Sequence, residues 1–427
     1  MTLPQTGAEL SAPATARWSV VALLATALFI NYVDRGAVPL AAHLIQGELG
    51  LSTQQLGLLF SAFFWSYALL QIPAGALAER FGAWWVLAGG LALWGWATML
   101  VGTARSFTAL LALRVLLGVG ESAGFPSVSK LLATVVPVKD LGSANGIVAF
   151  AYLFGPAVGA YCGGLLMTQY GWRATFWIFG AVSLLWLLPW ARMTPPRRPT
   201  QAGAVSAPTL RAVLRQVPLW GTSLGHFSSN YVFYFMLTWL PFYLVKERGF
   251  STTAMAALTG SAYLVNALSA LFAGWAIDRF AARSGRATLA YKAVMVAYHV
   301  GSLGCMLCIA LGRQPWAVAA IFVYQLLSGI SSPGIFAIAQ ILAGPSASAR
   351  WVGVQNAIAN LAGVIAPALT GLLVASTRHF TAAFVVAAGI SILGLIGWVW
   401  MVGDVAPLRW PAVGAGSRLE PTRQTAS

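Results

Sequence analysis

Four ionisable residues lie inside otherwise apolar stretches, and their types and spacing could do chemistry: Asp34 and Arg35 in the first stretch, Arg114 and Glu121 in the fourth. At a bilayer centre such a group is disfavoured by roughly 2.5–3.5 kcal/mol on insertion scales, so charges placed there face polar cavities and serve a pathway. Asn31, Asp34 and Arg35 fall at i, i+3 and i+4, one polar stripe on a helix. Asp34 and Arg35 are adjacent and project about 100° apart, so they can address different partners. Arg114 and Glu121 share a face but stand about 10 Å apart by helical rise, too far for a direct bond. Asp34 is expected across from Arg114 or Glu121, in an exchangeable charge network. Carboxylates in such surroundings can bind and release a proton as conformation changes, which fits Asp34 and Glu121 to proton coupling. Arginine stays charged and offers a planar fork that matches a carboxylate, which fits Arg35 to an anionic ligand. The competing reading is a static buried cluster that sets helix register, and it applies most strongly to Arg114.

The second half of the chain offers neutral polar groups instead. His226, Asn230 and Tyr234 recur at i, i+4 and i+8, and Asn356 and Asn360 share a face. Amides and phenols pair with hydroxyls, so this set suits a polyhydroxylated ligand and discriminates against analogues that lack the hydroxyls. Polar glue between helices, worth around 0.6 kcal/mol per bond, is the other reading, and the simpler one for His226. His299 has no polar partner at helical spacing and is expected to pack or to bond its own backbone. Ser331, Ser332 and Pro333, between Gly329 and Gly334, weaken the helical ladder and suggest a gate or bend near Pro333. Gly155-Pro156 with Gly159, Gly163 and Gly164 suggests close helix packing.

The elements that must position these residues are membrane spans. The 427 residues are 59% hydrophobic and 8% charged, with mean hydropathy +0.76, more apolar surface than one soluble core could hide. Twelve stretches of spanning length, at about 20 residues each, lie near 18–40, 54–76, 84–103, 107–129, 143–166, 174–191, 217–244, 254–276, 290–311, 315–341, 352–375 and 380–402. The formal charge of +15 forms no continuous basic patch, which argues against a nucleic-acid partner. With both termini cytoplasmic, seventeen Lys and Arg fall on the inner side and six on the outer, as the positive-inside rule requires. The apolar run after Arg17 continues into Asp34 and Arg35 and reads as an uncleaved span, not a signal peptide. Cys162, Cys305 and Cys308 sit in apolar runs, where no disulfide is expected, and the C-x-x-C of the last two has no companion Cys or His for a metal or redox site. Five segments follow: an N-terminal tail (1–17), a six-helix bundle (18–192), a Pro-rich basic linker (193–216), a second six-helix bundle (217–403) and a C-terminal tail (404–427) expected to be disordered.

Gly75-Ala-Leu-Ala-Glu79-Arg80 after the second span is echoed by Gly274-Trp-Ala-Ile-Asp278-Arg279 after the eighth. In each copy the carboxylate can pair with a neighbouring basic group or a helix end. The echo resembles the signature loop of the major facilitator superfamily, with Glu79 where Asp is usual. Asn31-Tyr-Val-Asp34-Arg35, Tyr67-x3-Gln71-x-Pro73-x-Gly75, Arg114-x3-Gly118-x2-Glu121-x4-Pro126, Tyr231-x2-Tyr234 and Gly353-x2-Asn356-x3-Asn360-x2-Gly363-x3-Pro367 resemble its anion:cation symporter family, over nearly the whole chain.

That resemblance implies an all-α membrane protein of twelve transmembrane helices, in two six-helix bundles that rock about a central site, with both termini cytoplasmic. It implies proton-coupled uptake of an organic anion across the bacterial inner membrane by a monomer that needs no cofactor. Sugar acids such as galactonate, glucarate and hexuronates are the leading class, with aromatic acids beside them. Mapped by motif, it implies coupling roles for Asp34 and Glu121 and substrate contacts for Arg35 and Tyr67. Asn230, Tyr234, Asn356 and Asn360 complete the substrate candidates, and Arg114 belongs to the charge network. Gly75, Glu79, Arg80, Asp278 and Arg279 form the conformational loops. Exchange or export through the same cavity, and a ligand sensor, remain open alternatives. Sodium coupling is disfavoured because no oxygen cage accompanies the two carboxylates. An enzyme is not expected, since no Walker lysine motif, zinc-ligand cluster or catalytic Ser–His pair appears.

Overall fold

A computed structural model describes residues 14–51, 53–193 and 207–410. The N-terminal tail through residue 13, linker residues 194–206 and the tail beyond residue 410 lie outside the described residues. Within them fourteen α-helices follow one another: α1 (Ala14–Leu49), α2 (Thr53–Leu77), α3 (Ala83–Val101), α4 (Phe107–Glu121), α5 (Gly124–Val135), α6 (Leu141–Leu185), α7 (Leu187–Arg192), α8 (Leu210–Leu214), α9 (Val217–Lys246), α10 (Thr252–Ser284), α11 (Ala287–Leu311), α12 (Gln314–Asn360), α13 (Ala362–Thr377) and α14 (Thr381–Ile396). A helix satisfies every interior backbone group within its own segment, the condition for crossing lipid.

Among the described residues seven continuous helical stretches are long and apolar enough to span a membrane: Ser61–Val101, Phe107–Val135, Val138–Arg192, Ala257–Ser284, Ala287–Leu311, Gln314–Thr377 and Thr381–Met401. Three of them are broken at a glycine with positive φ, Gly82 (95°), Gly171 (79°) and Gly344 (65°), a conformation that side chains oppose. Helices α1 and α9, at 36 and 30 residues, are also longer than a bilayer requires, and they carry the polar stripes around Asp34 and Asn230.

The apolar core is shared at one end of the body and divided at the other. Trp84, Leu131 and Val148 from the first half pack in one cluster with Ile277, Phe336 and Trp351 from the second. At the opposite end Ile45, Leu110 and Phe176 form a cluster within the first half, and Tyr243, Ile309 and Phe384 form another within the second. The halves are thus sealed together on one side only. Glycines permit the seal: a Cβ on Gly75 would strike the Ala349 carbonyl, and one on Gly274 the Gly142 carbonyl. Asn145 and Gln340 add a reciprocal amide pair across the halves, at 2.7 and 3.2 Å. The close packing expected at Gly155 and Gly159 is against Phe29, Tyr32 and Val33 of α1, whereas Gly164 faces open space.

The two echoed loops clasp the sealed end. Glu79 pairs with Lys130 and accepts from the Ala349 amide at 3.1 Å, while Lys130 also donates to the Pro345 carbonyl at 2.8 Å. Asp278 accepts from the Gly142 amide (3.0 Å), the Ser143 amide (2.6 Å) and the Ser143 hydroxyl (2.8 Å). Asp278 thus meets the free amides at the start of α6, and Glu79 meets the early turns of the α12 segment that resumes after Gly344, each in the opposite half and where the helix dipole favours negative charge. Arg80 and Arg279 lie over the rings of Phe81 and Trp275.

Three expectations change. The linker ends in helix α8, capped by Thr209 accepting from the Ala212 amide at 3.3 Å and anchored by buried Val213. The C-terminal tail is not free over its first residues: the Leu408 amide and the Trp410 indole bind the carbonyls of Leu342 and Ala343, both at 2.9 Å. Those carbonyls are orphaned by the break at Gly344, and the tail satisfies them. At Pro333 α12 stays helical, with Ser331 and Ser332 both donating to the Ser328 carbonyl at 2.9 Å; the departure from helical backbone in α12 is at Gly344.

Candidate functional site

Helices α1, α2 and α4 bring Arg35 and Glu121 together. Arg35 Nε donates to Glu121 Oε2 at 2.6 Å, and the Glu121 side chain is fully buried. Glu121 is the last residue of α4, where the chain steps into α5. Aromatic rings surround the guanidinium, with the Tyr67 centroid at 4.3 Å, Tyr32 at 4.6 Å and Phe63 at 4.9 Å. Asn31 is buried beside Glu121.

The rest of the charge network differs in part from expectation. Asp34 is not ion-paired to Arg114; it lies within electrostatic reach of Glu121, as expected, and accepts from the Ser183 hydroxyl of α6 at 2.8 Å. Arg114 donates to the Leu59 carbonyl at 3.3 Å and lies over Phe63 at 5.2 Å. The physical reason is the angular offset of adjacent helical residues, which turns Asp34 toward α6 and Arg35 toward α2 and α4.

Beside this group a cavity of about 580 Å³, counting its open mouth, lies between the halves. Tyr32 and Tyr67, which cover the Arg35 guanidinium, form part of one wall; Asn230, Tyr234, Asn356 and Asn360 form part of the other. The structure thus brings Tyr67 and the four neutral candidates to one cavity, with Arg35 behind the tyrosines. Tyr234 donates to Asn360 Oδ1 at 2.9 Å, Asn360 donates to the Asn356 carbonyl at 2.8 Å, and Asn356 donates to Gln71 Oε1 of the other half at 2.5 Å. His226 also lines the cavity, within 3.3 Å of Gln355 Nε2 and edge-on to Phe336. His299 bonds the Met295 carbonyl at 2.9 Å, away from the cavity, as expected of a backbone-bonded histidine.

Sequence reasoning missed several lining residues: Tyr32, Tyr152, Ser229, Tyr298 and Ser328. A signal existed for Ser229, which stands one turn from His226 and next to Asn230. Tyr152 and Tyr298 gave none, because a lone tyrosine in an apolar span is unremarkable until its neighbours are known.

Residues 24–363 match the Major Facilitator Superfamily. A hexuronate transporter of Bacillus subtilis (strain 168) is 28% identical over 90% of this chain and 94% of its own. A probable sulfoacetate transporter of Cupriavidus necator is 30% identical over 89% of this chain and 92% of its own. In fold the chain resembles the transporter FucP in its outward conformation, with TM-score 0.75 at 17% identity, covering 90% of this chain and 98% of that one. The family match over most of the chain, the helices able to span a membrane and the cavity between two halves lead to one conclusion: this chain belongs to the Major Facilitator Superfamily and is a multi-pass membrane transporter, not an enzyme.

Proposed function

We propose that this transporter takes up a small organic anion together with protons, a sugar acid being the best fit to its cavity. The observation that carries this reading is the buried Arg35–Glu121 ion pair beside a cavity rich in amides and hydroxyls. Glu121 is then a stand-in for the substrate's carboxylate. A proton arriving on Glu121 ends its claim on the guanidinium, and the incoming carboxylate takes its place. Arg35 is compensated before and after, which avoids the several kcal/mol of an unpaired buried charge. Anion and proton therefore load together. Asp34, held separately by Ser183, is the second coupling carboxylate. Tyr67 shapes the anion's berth, Asn230, Tyr234, Asn356 and Asn360 meet hydroxyls, and Arg114 adds positive charge at a distance. The hexuronate transporter relative supports a sugar acid. The aromatic lining at Phe125, Phe233 and Phe336 favours an aromatic acid as the second reading.

The breaks at Gly82, Gly171 and Gly344, with the long helices α1 and α9, support a reading of twelve crossings, six in residues 18–192 and six in 217–403, joined by the 193–216 linker. The sealed end carries Arg80, Lys130, Arg279 and Arg350, so the positive-inside rule makes it cytoplasmic, together with both termini. The cavity then faces outward, and rocking of the halves would open it inward. The protein works in the inner membrane as a monomer, driven by the proton gradient, with no metal or cofactor.

The test is uptake into proteoliposomes of labelled galactonate, glucuronate and benzoate, with and without an imposed pH gradient. Uphill accumulation of a sugar acid that follows the gradient is the expected result. Accumulation unaffected by the gradient removes proton coupling, and uptake of benzoate alone removes the sugar acid.

A further inference from the structure

His226 stands at the cavity with one ring nitrogen engaged and the other open. Its Nδ1 lies 3.3 Å from Gln355 Nε2, and that amide nitrogen lies 3.4 Å from the Ile335 carbonyl oxygen. A carbonyl can only accept, so the Gln355 amide presents its NH2 to this space; turned over, its Oε1 would face the Ile335 oxygen. Nδ1 is therefore an acceptor. An imidazolium has no acceptor and a neutral imidazole has one, so the ring is neutral and carries its proton on Nε2. That nitrogen has no hydrogen-bond partner among the described residues and is not sealed off, and the ring lines the cavity. Phe336 holds the imidazole edge-on, with ring centroids 5.3 Å apart. Gln355 is fully buried and does not line the cavity.

An N–H that faces the cavity must be met by a ligand oxygen once water is excluded, or it is left as an unpaired donor. Arg35 belongs to the first half and lies behind Tyr32 and Tyr67, whereas His226 belongs to the second. A carboxylate taken by Arg35 therefore leaves Nε2 to some other oxygen of the ligand. A hydroxyl on a carbon chain supplies one; a plain aromatic monoacid does not. Asn230 follows His226 by one turn of α9 and lines the same cavity, so the polar face continues along that helix. We infer that His226 is a specificity-determining residue whose Nε2–H binds a substrate oxygen outside the carboxylate, and that Gln355 is the positioning residue that keeps the proton on that nitrogen. The inference rests on the sugar-acid reading and adds to it a donor with a fixed tautomer.

Two measurements on the purified full-length protein test it. Nitrogen-15 solid-state NMR of histidine-labelled protein in lipid should show, at neutral pH, a neutral Nε2–H imidazole that disappears in His226→Gln. Gln355→Glu places an acceptor at Nδ1, so the same signal should move to the Nδ1–H form or to the imidazolium. An Nδ1–H ring or an imidazolium at His226 in the unmodified protein overturns the assignment. Calorimetry with galactonate and benzoate then reads the contact. His226→Phe should lower galactonate affinity by about three- to tenfold, and by more than benzoate affinity, whereas His226→Gln, which restores an amide donor, should recover part of the loss. Unchanged galactonate affinity in His226→Phe, or an equal fall for both acids, overturns the contact while the anion-symport reading stands. Binding of benzoate without galactonate in the unmodified protein overturns the sugar-acid reading and the contact with it. Where His226→Phe does not fold, galactonate added to the labelled unmodified protein decides: the Nε2 signal should shift, and no shift overturns the contact.

Discussion

Arg35 and Glu121 are 86 residues apart in the chain and 2.6 Å apart in the structure, with the glutamate fully enclosed. On the proposed mechanism, the anion that displaces Glu121 inherits the guanidinium. A proton taken by Glu121 frees Arg35 for that anion, so the two load together on opposite sides of one contact.

Glu121→Gln should retain the fold, abolish pH-gradient-driven accumulation and keep counterflow exchange. Its substrate affinity should also lose its dependence on pH, because Gln has no proton to exchange. Asp34→Asn should lose accumulation as well. Wild-type accumulation in both variants, measured in proteoliposomes, removes these two residues from coupling.

Arg35→Lys keeps the charge but loses the planar fork, and it leaves Tyr32 and Tyr67 with a smaller partner. Affinity should fall by about one to two decades, the equivalent of one charge-assisted hydrogen bond. Arg35→Ala should fall further. Calorimetry on folded protein with unchanged affinity in Arg35→Ala excludes the residue from the site.

Asp278→Ala removes the acceptor of three hydrogen bonds at the start of α6. The sealed end should loosen and the population shift toward its opening. Spin labels on cysteines replacing exposed Lys139 and Arg283, in a background lacking Cys162, Cys305 and Cys308, should show a longer and broader distance distribution by pulsed electron resonance. An unchanged distribution means the clasp does not hold that end closed.

Glu48, outside the apolar part of α1, accepts from Arg173 Nη2 at 2.8 Å and from the Trp172 indole at 2.6 Å. These hydrogen bonds, Arg173 first, hold its carboxyl below the ordinary value of 4.5. A lowered carboxyl contributes stability above the unfolded value and loses it as pH falls through the folded one. The melting temperature of Glu48→Gln should lie below wild type at neutral pH, and the gap should close as pH drops below about 4.5. A gap independent of pH assigns the effect to packing.

Much of this architecture was legible in the chain itself. A membrane segment must be apolar along its whole length, and a charge inside one must have a purpose, so Asp34, Arg35, Arg114 and Glu121 declared themselves by scarcity. The repeated Gly, carboxylate and Arg of the two loops marked a two-fold design in the same way. Helical periodicity also placed Asn356 beside Asn360, because that relation is local. Pairing across helices is a different matter, since it depends on how each helix is rotated and how deep it sits against its neighbours. Asp34 found Ser183 and Arg35 found Glu121 because of where α1 meets α6 and α4, which no spacing within α1 encodes. Glu79 and Asp278 reached helix starts in the opposite half for the same reason, and the folded body, through Gly344, decided that the C-terminal tail docks.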